Sequence, residues 1–167
     1  MNGGDYLEGE IRYKSAPGQL GRVIAARLLP GTDIIEGIEK ICADYGIDYA
    51  FVACSIGSLQ KSTFMFAVPK PEAKIKIAYG EPFEIPGPIE FLGGQGVVCK
   101  NAKGETQTHF HGAISDKLQR IYGGHLLKGG NPSLATIDLI INEVKGMKLL
   151  RKYDEETGFV NLFPEAG

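Results

Sequence analysis

Two of the chain's three histidines stand one residue apart in "THFHG", and the third follows in "YGGHLL". On extended backbone, residues i and i+2 point to the same face. A strand through the first stretch therefore presents His109 and His111 together and turns Phe110 to the opposite side, toward a core. Residues 112 to 124 are enough to leave that strand, turn, and return with His125 beside it. Three protein nitrogens and an open position make a catalytic type of zinc site, whereas a structural site is closed by a fourth protein ligand. Imidazole also suits Cu, Ni and Fe. His109, His111 and His125 are thus the candidate metal ligands, with zinc expected and another divalent transition metal as the alternative. Ordinary surface or packing histidines are the competing reading. Asp116 and Glu105 are candidates for an outer shell by nearness in sequence, but no general base stands out.

Other stretches carry less chemistry. "GGQG" at 93–96 is followed by no helix pattern, so it reads as a turn or bulge and not as a phosphate loop. No Ser-His-Asp or Cys-His arrangement follows from spacing. Cys42, Cys54 and Cys99 are odd in number, lie in apolar surroundings and form no C-x-x-C. They read as buried free thiols in a reducing cytosol.

The elements that must carry the histidines read as mostly strand. "RVIAARLL" is the first confident strand. "DIIEGIEKICADYG" is the clearest helix: Asp33 caps it, Glu36 is placed to complete a capping box, and Gly46 is placed to end it. Its apolar face comprises Ile34, Ile38, Ile41 and Tyr45, widened by Ile35 and Cys42. "DYAFVACSIGS", "STFMFAV" and "KIKIAY" follow as strands. The prolines of "EPFEIPGPIEFLGGQGVVCK" suggest edges, turns or bulges, not a central strand. "NAKGE" reads as a hairpin turn. "LATIDLIINEV" sets Ala135, Ile137, Leu139 and Ile141 on one face, and "MKLLRKYDEETGFVNLF" closes as a charged surface hairpin. The sum is an α+β fold: a mostly antiparallel, barrel-like sheet with one main helix packed on it. Residues 1–20, with a short strand over Tyr6 to Tyr13, read as an N-terminal extension, and 21–167 as the domain.

Composition bounds the function. The chain has 167 residues, 43% of them apolar, and 23 glycines, about twice the usual ~7%. Spread without a period, they fit many tight turns. A net charge of −2 argues against a stand-alone nucleic-acid binder, because phosphate neutralisation by Lys and Arg supplies most non-specific affinity. No apolar run reaches the ~20 residues needed to span a bilayer, and "MNGGDYLEGE" has no apolar core of a secretory leader.

The ordered set of motifs resembles the PPC domain, the plants and prokaryotes conserved domain, from about Gly21 to Phe163. "RLLPGTDIIEGIEKICADYGIDYAFVACSIGSL" is similar to its first strand, helix and second strand. "GPIEFLGGQGVV" is similar to its central segment, with Pro88 where the family often has Arg. "THFHGAISD" with "YGGHLL" is similar to the prokaryotic His-x-His and Gly-Gly-His-Leu motifs, and "RKYDEETGFVNL" to the C-terminal hairpin. The resemblance implies a homotrimer and, at His109, His111 and His125, a metal, with zinc foremost. Plant members follow an AT-hook, of which this chain has none, so a DNA-binding role is implied only by fold-level analogy. The expectation is a cytoplasmic homotrimer with a three-histidine metal site that serves as a hydrolase or lyase, or that binds a small molecule. The alternative is a DNA-associated protein whose basic surface would draw on Arg22, Arg27, Lys100, Lys103, Lys128, Arg151 and Lys152.

Overall fold

The computed structural model describes residues 11–167. Ten strands and one helix follow in the order β1 (Gln19–Leu28), α1 (Ile34–Asp44), β2 (Ala50–Met65), β3 (Ala67–Pro69), β4 (Ile77–Tyr79), β5 (Phe83–Asn101), β6 (Thr106–Ser115), β7 (Ile121–Leu126), β8 (Ser133–Lys145), β9 (Met147–Asp154) and β10 (Phe159–Ala166). Eight of them form one sheet in the order β1-β8-β2-β7-β6-β5-β9-β10, and β3 and β4 make a separate pair. β2 also pairs with β5, so the run β2–β7–β6–β5 closes on itself, the barrel-like core that the pattern predicts. All pairings are antiparallel except β5 with β9. Of the strand expected over Tyr6 to Tyr13, Ile11–Tyr13 carries none, and the rest lies outside the described residues.

The helix forms where its capping residues place it. Asp33 Oδ1 accepts from the amides of Ile35 and Glu36 at 3.0 and 3.1 Å. The Glu36 carboxylate makes no reciprocal bond among the described residues, so half of the capping box is present. Gly46 has φ +62, the left-handed conformation glycine adopts without steric penalty, and its amide donates to the Ala43 carbonyl. Ile34, Ile35, Ile38 and Cys42 are buried against the sheet. Tyr45 is not: it caps the last turn and is 51% exposed.

One further expectation holds in part, since the prolines do mark a one-sided stretch although the segment is a long strand, and a second needs correction. β5 is a 19-residue strand paired on both sides over much of its length, and it contains Pro86 and Pro88. Before Glu90 its only partner is β2, so the prolines sit where one side of the strand needs no amide donor. Cys42 and Cys99 are buried, but Cys54 is exposed. The β2–β8 register shifts between Val52 and Cys54, which turns Ala53 and Cys54 outward together.

A buried polar hub joins the helix to the sheet. Asp33 Oδ2 accepts from the amide of Asn131 at 2.8 Å. The Asn131 side chain accepts from Ser62 Oγ at 2.7 Å and donates to the Leu127 carbonyl at 2.7 Å. Asp33→Ala removes a helix cap and strands a buried amide, so urea unfolding is expected to show a loss of about 2–4 kcal/mol. Asp44→Ala, which breaks only the exposed pair with Lys40, should cost under ~0.5 kcal/mol. Equal effects of the two would refute the hub.

Candidate metal centre

Phe110 is the anchor that turns the two neighbouring histidines outward. It is fully buried and stacks with Phe91 at 6.5 Å between centroids. The facing strand makes room for it. A Cβ on Gly94 would lie 2.4 Å from the Phe110 ring, and one on Gly96 2.7 Å away. The "GGQG" stretch is thus a bulged strand segment, with a register shift between Phe91 and Gly93, that clears space for an aromatic core. The helix fixes the same strand from below, where the Glu39 carboxylate accepts from the Thr108 amide at 3.0 Å and pairs with Lys128.

β7 brings the third imidazole. His111 pairs with His125 across β6 and β7, Gly112 with Gly124, and Ala113 with Gly123. A Cβ on Gly123 would come within 2.5 Å of the Gly112 carbonyl oxygen, and one on Gly124 within 2.5 Å of the Met65 carbonyl oxygen. Both positions need the close approach of backbone that only glycine permits. His125 therefore sits between His111 on one side and Met65 of β2 on the other.

The three rings converge. Their centroids are separated by 4.9, 4.9 and 5.3 Å, and the planes are tilted, not parallel. His109 Nε2 and His111 Nε2 are 3.0 Å apart. One nitrogen from each of the three lies within 4.8 Å of the others. Two nitrogens on one tetrahedral zinc are about 3.3 Å apart, given Zn–N of about 2.0–2.1 Å. The set therefore fits a metal with small adjustments. His125 Nδ1 is buried without a hydrogen-bond partner, an orphan that a metal or a bound ligand would satisfy. His111 borders an open groove of about 550 Å³ that runs past Ala53, Ser55, Gly93 and Gln95.

Neither carboxylate singled out by nearness in sequence reaches the rings. Asp116 accepts from Arg120 and from the Leu118 amide, and Glu105 accepts from Asn101. Two residues not foreseen flank the site instead. Tyr79 of β4 packs on His125 at 5.1 Å between centroids. Arg151 of β9 is half-buried, and its charge acts on all three imidazoles. A signal for Arg151 was present: it shares a strand face with Leu149, which is buried.

Burial and the Arg151 charge disfavour the protonated rings. Burial first, then Arg151, pushes His109 down to about 4. Burial first, then His111 and Arg151, does the same to His125. His111 is also lowered. At neutral pH the rings are thus the neutral imidazoles that a metal requires.

The family model of the Plants and Prokaryotes Conserved (PCC) domain matches residues 15–145. A plant- and prokaryote-conserved protein of Pyrococcus horikoshii has the same fold, with TM-score 0.74 and 23% identity over 92% of this chain and 98% of that one. A metal-containing protein of Archaeoglobus fulgidus matches with TM-score 0.74 and 22% identity over 92% and 99%. A protein of Ralstonia eutropha JMP134, provisionally named DNA-binding, matches with TM-score 0.65 and 24% identity over 83% and 88%. Among curated proteins, the bifunctional protein GlmU of Synechococcus sp. (strain JA-3-3Ab) is 26% identical over 144 residues, 86% of this chain and 21% of that protein. The chain thus spans about a fifth of the length of the curated relatives it matches.

The depressed imidazoles set a pH dependence for the metal-free protein. Between about pH 4 and 6.5 the unfolded chain binds more protons than the folded one, so stability rises with pH through that window and is lost as pH falls through it. The urea midpoint is expected to drop between pH 7 and pH 4.5, and less so in a His109→Gln/His125→Gln variant. Identical profiles would mean that the rings titrate in the fold as they do in the unfolded chain.

Proposed function

The chain belongs to the Plants and Prokaryotes Conserved domain family, and on that premise we propose that it is a homotrimeric metal protein acting on or sensing a small molecule. His109, His111 and His125 hold the ion, zinc in the first instance, and leave a position open to the ligand. The observation that carries this reading is the convergence of three imidazole nitrogens within 4.8 Å on an open face. The metal content of the Archaeoglobus relative supports it. Zinc bound there would supply Lewis acidity and lower the pKa of a water to about 7. The chain's own part is to keep three neutral imidazoles oriented, through Phe110 beneath them and the glycines of β7 beside them. No carboxylate hydrogen-bonds a ring among the described residues, so none of them is placed there as a general base. This favours ligand binding, with hydrolase and lyase activities the ones to screen.

The trimer is supported by the outer face of the sheet. Ile56, Leu92, Ile121 and Leu134 stand exposed on β2, β5, β7 and β8, on the face that also carries the histidines. An apolar set of this kind marks a surface for association. Buried free thiols at Cys42 and Cys99, both pushed up to about 11 by burial, fit a reducing cytoplasm. Among the described residues, no helix is long and apolar enough to cross a membrane.

Association with DNA is the second reading, favoured by the provisional name of the Ralstonia relative. Of the seven cations named for a basic surface, Arg22, Lys100, Lys128 and Lys152 each pair with a carboxylate. Binding to duplex DNA is therefore expected to be negligible at physiological salt. Affinity that appears at low salt and falls steeply with added salt would favour the second reading.

Elemental analysis of natively purified protein is expected to show about one zinc per chain, lost in a His109→Ala/His111→Ala variant. Sedimentation of the same sample is expected to give a trimer. No metal in the native protein would sink the metal reading, and a monomer would sink the assembly.

A further inference from the structure

The first described residues run toward an apolar pocket between two hairpins. Ile75, Ile77 and Tyr79 of the β3–β4 hairpin are exposed among the described residues. With Phe159, Thr157 and Asn161 of the β9–β10 hairpin they line a pocket of about 220 Å³. The polar members are already engaged. Thr157 Oγ1 donates to Asp154 Oδ2 at 3.1 Å, and Asn161 Nδ2 donates to the same oxygen at 3.0 Å and to Thr157 Oγ1 at 2.8 Å. What the pocket offers a guest is therefore apolar surface.

Two ion pairs bring the N-terminal arm to the same place. In the turn between β9 and β10, Glu155 pairs with Lys74 of the β3–β4 hairpin at 3.2 Å, and Glu156 pairs with Arg12 at 2.7 Å. Farther along β10, Lys14 Nζ lies 4.0 Å from the centroid of the Phe163 ring. From Lys14 back to Arg12 the arm thus heads for the turn that flanks the pocket. Exposed pairs of this kind add little stability, so they count here for position. Ile11, next in line, is 87% exposed. The ten residues before it read "MNGGDYLEGE". Tyr6 and Leu7 are adjacent apolar side chains there, and Asp5, Glu8 and Glu10 are its charged ones. The β3–β4 hairpin is opposite in balance, with Lys70, Lys74 and Lys76 against Glu72. Four extended residues span about 13–14 Å, which is the reach of Leu7 from Ile11.

We propose that this pocket is the docking site of the chain's own N-terminal segment, with Leu7 seated in it and Tyr6 beside it. Burial of the two side chains against Ile75, Ile77 and Phe159 drives the docking, and the acidic flanks meet the hairpin lysines in complementary charge. Tyr79 belongs both to this pocket and to the metal centre, where its ring packs on His125. The seated segment therefore borders that centre. The inference does not depend on a metal being bound.

The test places a photoreactive benzophenone side chain at position 7 of the full chain. Irradiation is expected to join it to residues 75–79 or 157–161 of the same chain, as read by mass spectrometry of the digested product. Lys70→Glu/Lys76→Glu should lower the yield. Mixing differently tagged copies distinguishes the chains. Joins between copies assign the pocket to a neighbour's segment, and joins elsewhere, or none, leave it without this occupant; each overturns the inference. Hydrogen exchange gives an independent reading. In Leu7→Asp, peptides covering 75–79 and 157–161 should exchange roughly fivefold faster or more, with α1 and the melting temperature unchanged. Exchange equal to wild type, or acceleration shared by α1, overturns the inference.

Discussion

The antiparallel register that sets His111 opposite His125 is the constraint on which the site depends. Side chains on a strand alternate with a period of two, so a slip of one residue between β6 and β7 would send His125 to the core face and leave His109 and His111 alone. That register is held from both sides. Gly123 and Gly124 let the β7 backbone lie against Gly112 and Met65, where any Cβ would collide. Phe110 and Ile114, fully buried on the core face of β6, keep the strand from rolling over.

The same alternation divides the labour of the sheet. One face is covered by α1 and closed by Phe64, Phe91 and Phe110, all buried. The other carries histidines, glycines and exposed aliphatic side chains. The first face supplies the apolar burial that stabilises a fold of this size. The second is free to carry chemistry because the core does not need it. The Asp33–Asn131 hub links the faces' supports, since one carboxylate satisfies both the helix start and the loop that leads from β7 into β8.

Electrostatically the site is unusual in what it lacks. Metal sites commonly orient their histidines through carboxylates. Here no carboxylate hydrogen-bonds a ring among the described residues, and burial together with the Arg151 charge holds the rings neutral. The arrangement disfavours bound protons.

Much of this was legible in the sequence because it is local. The cap at Asp33, the stop at Gly46, the outward pair His109 and His111 around Phe110, and the hairpin turn at "NAKGE" all follow from periodicity and backbone preference over a few residues. The return of His125 was legible as chain length permitting a turn. Its exact partner was not, since register depends on the Gly123 and Gly124 contacts with two other strands. Three features were decided by tertiary structure alone. Pro86 and Pro88 lie within a long strand because β6 does not reach that far along β5. Cys54 is exposed because a bulge in β2 turns two successive residues outward. Tyr79 packs on His125, and the Arg151 charge acts on the rings from β9, because strands distant in sequence meet there, and no local pattern encodes which distant strands will meet.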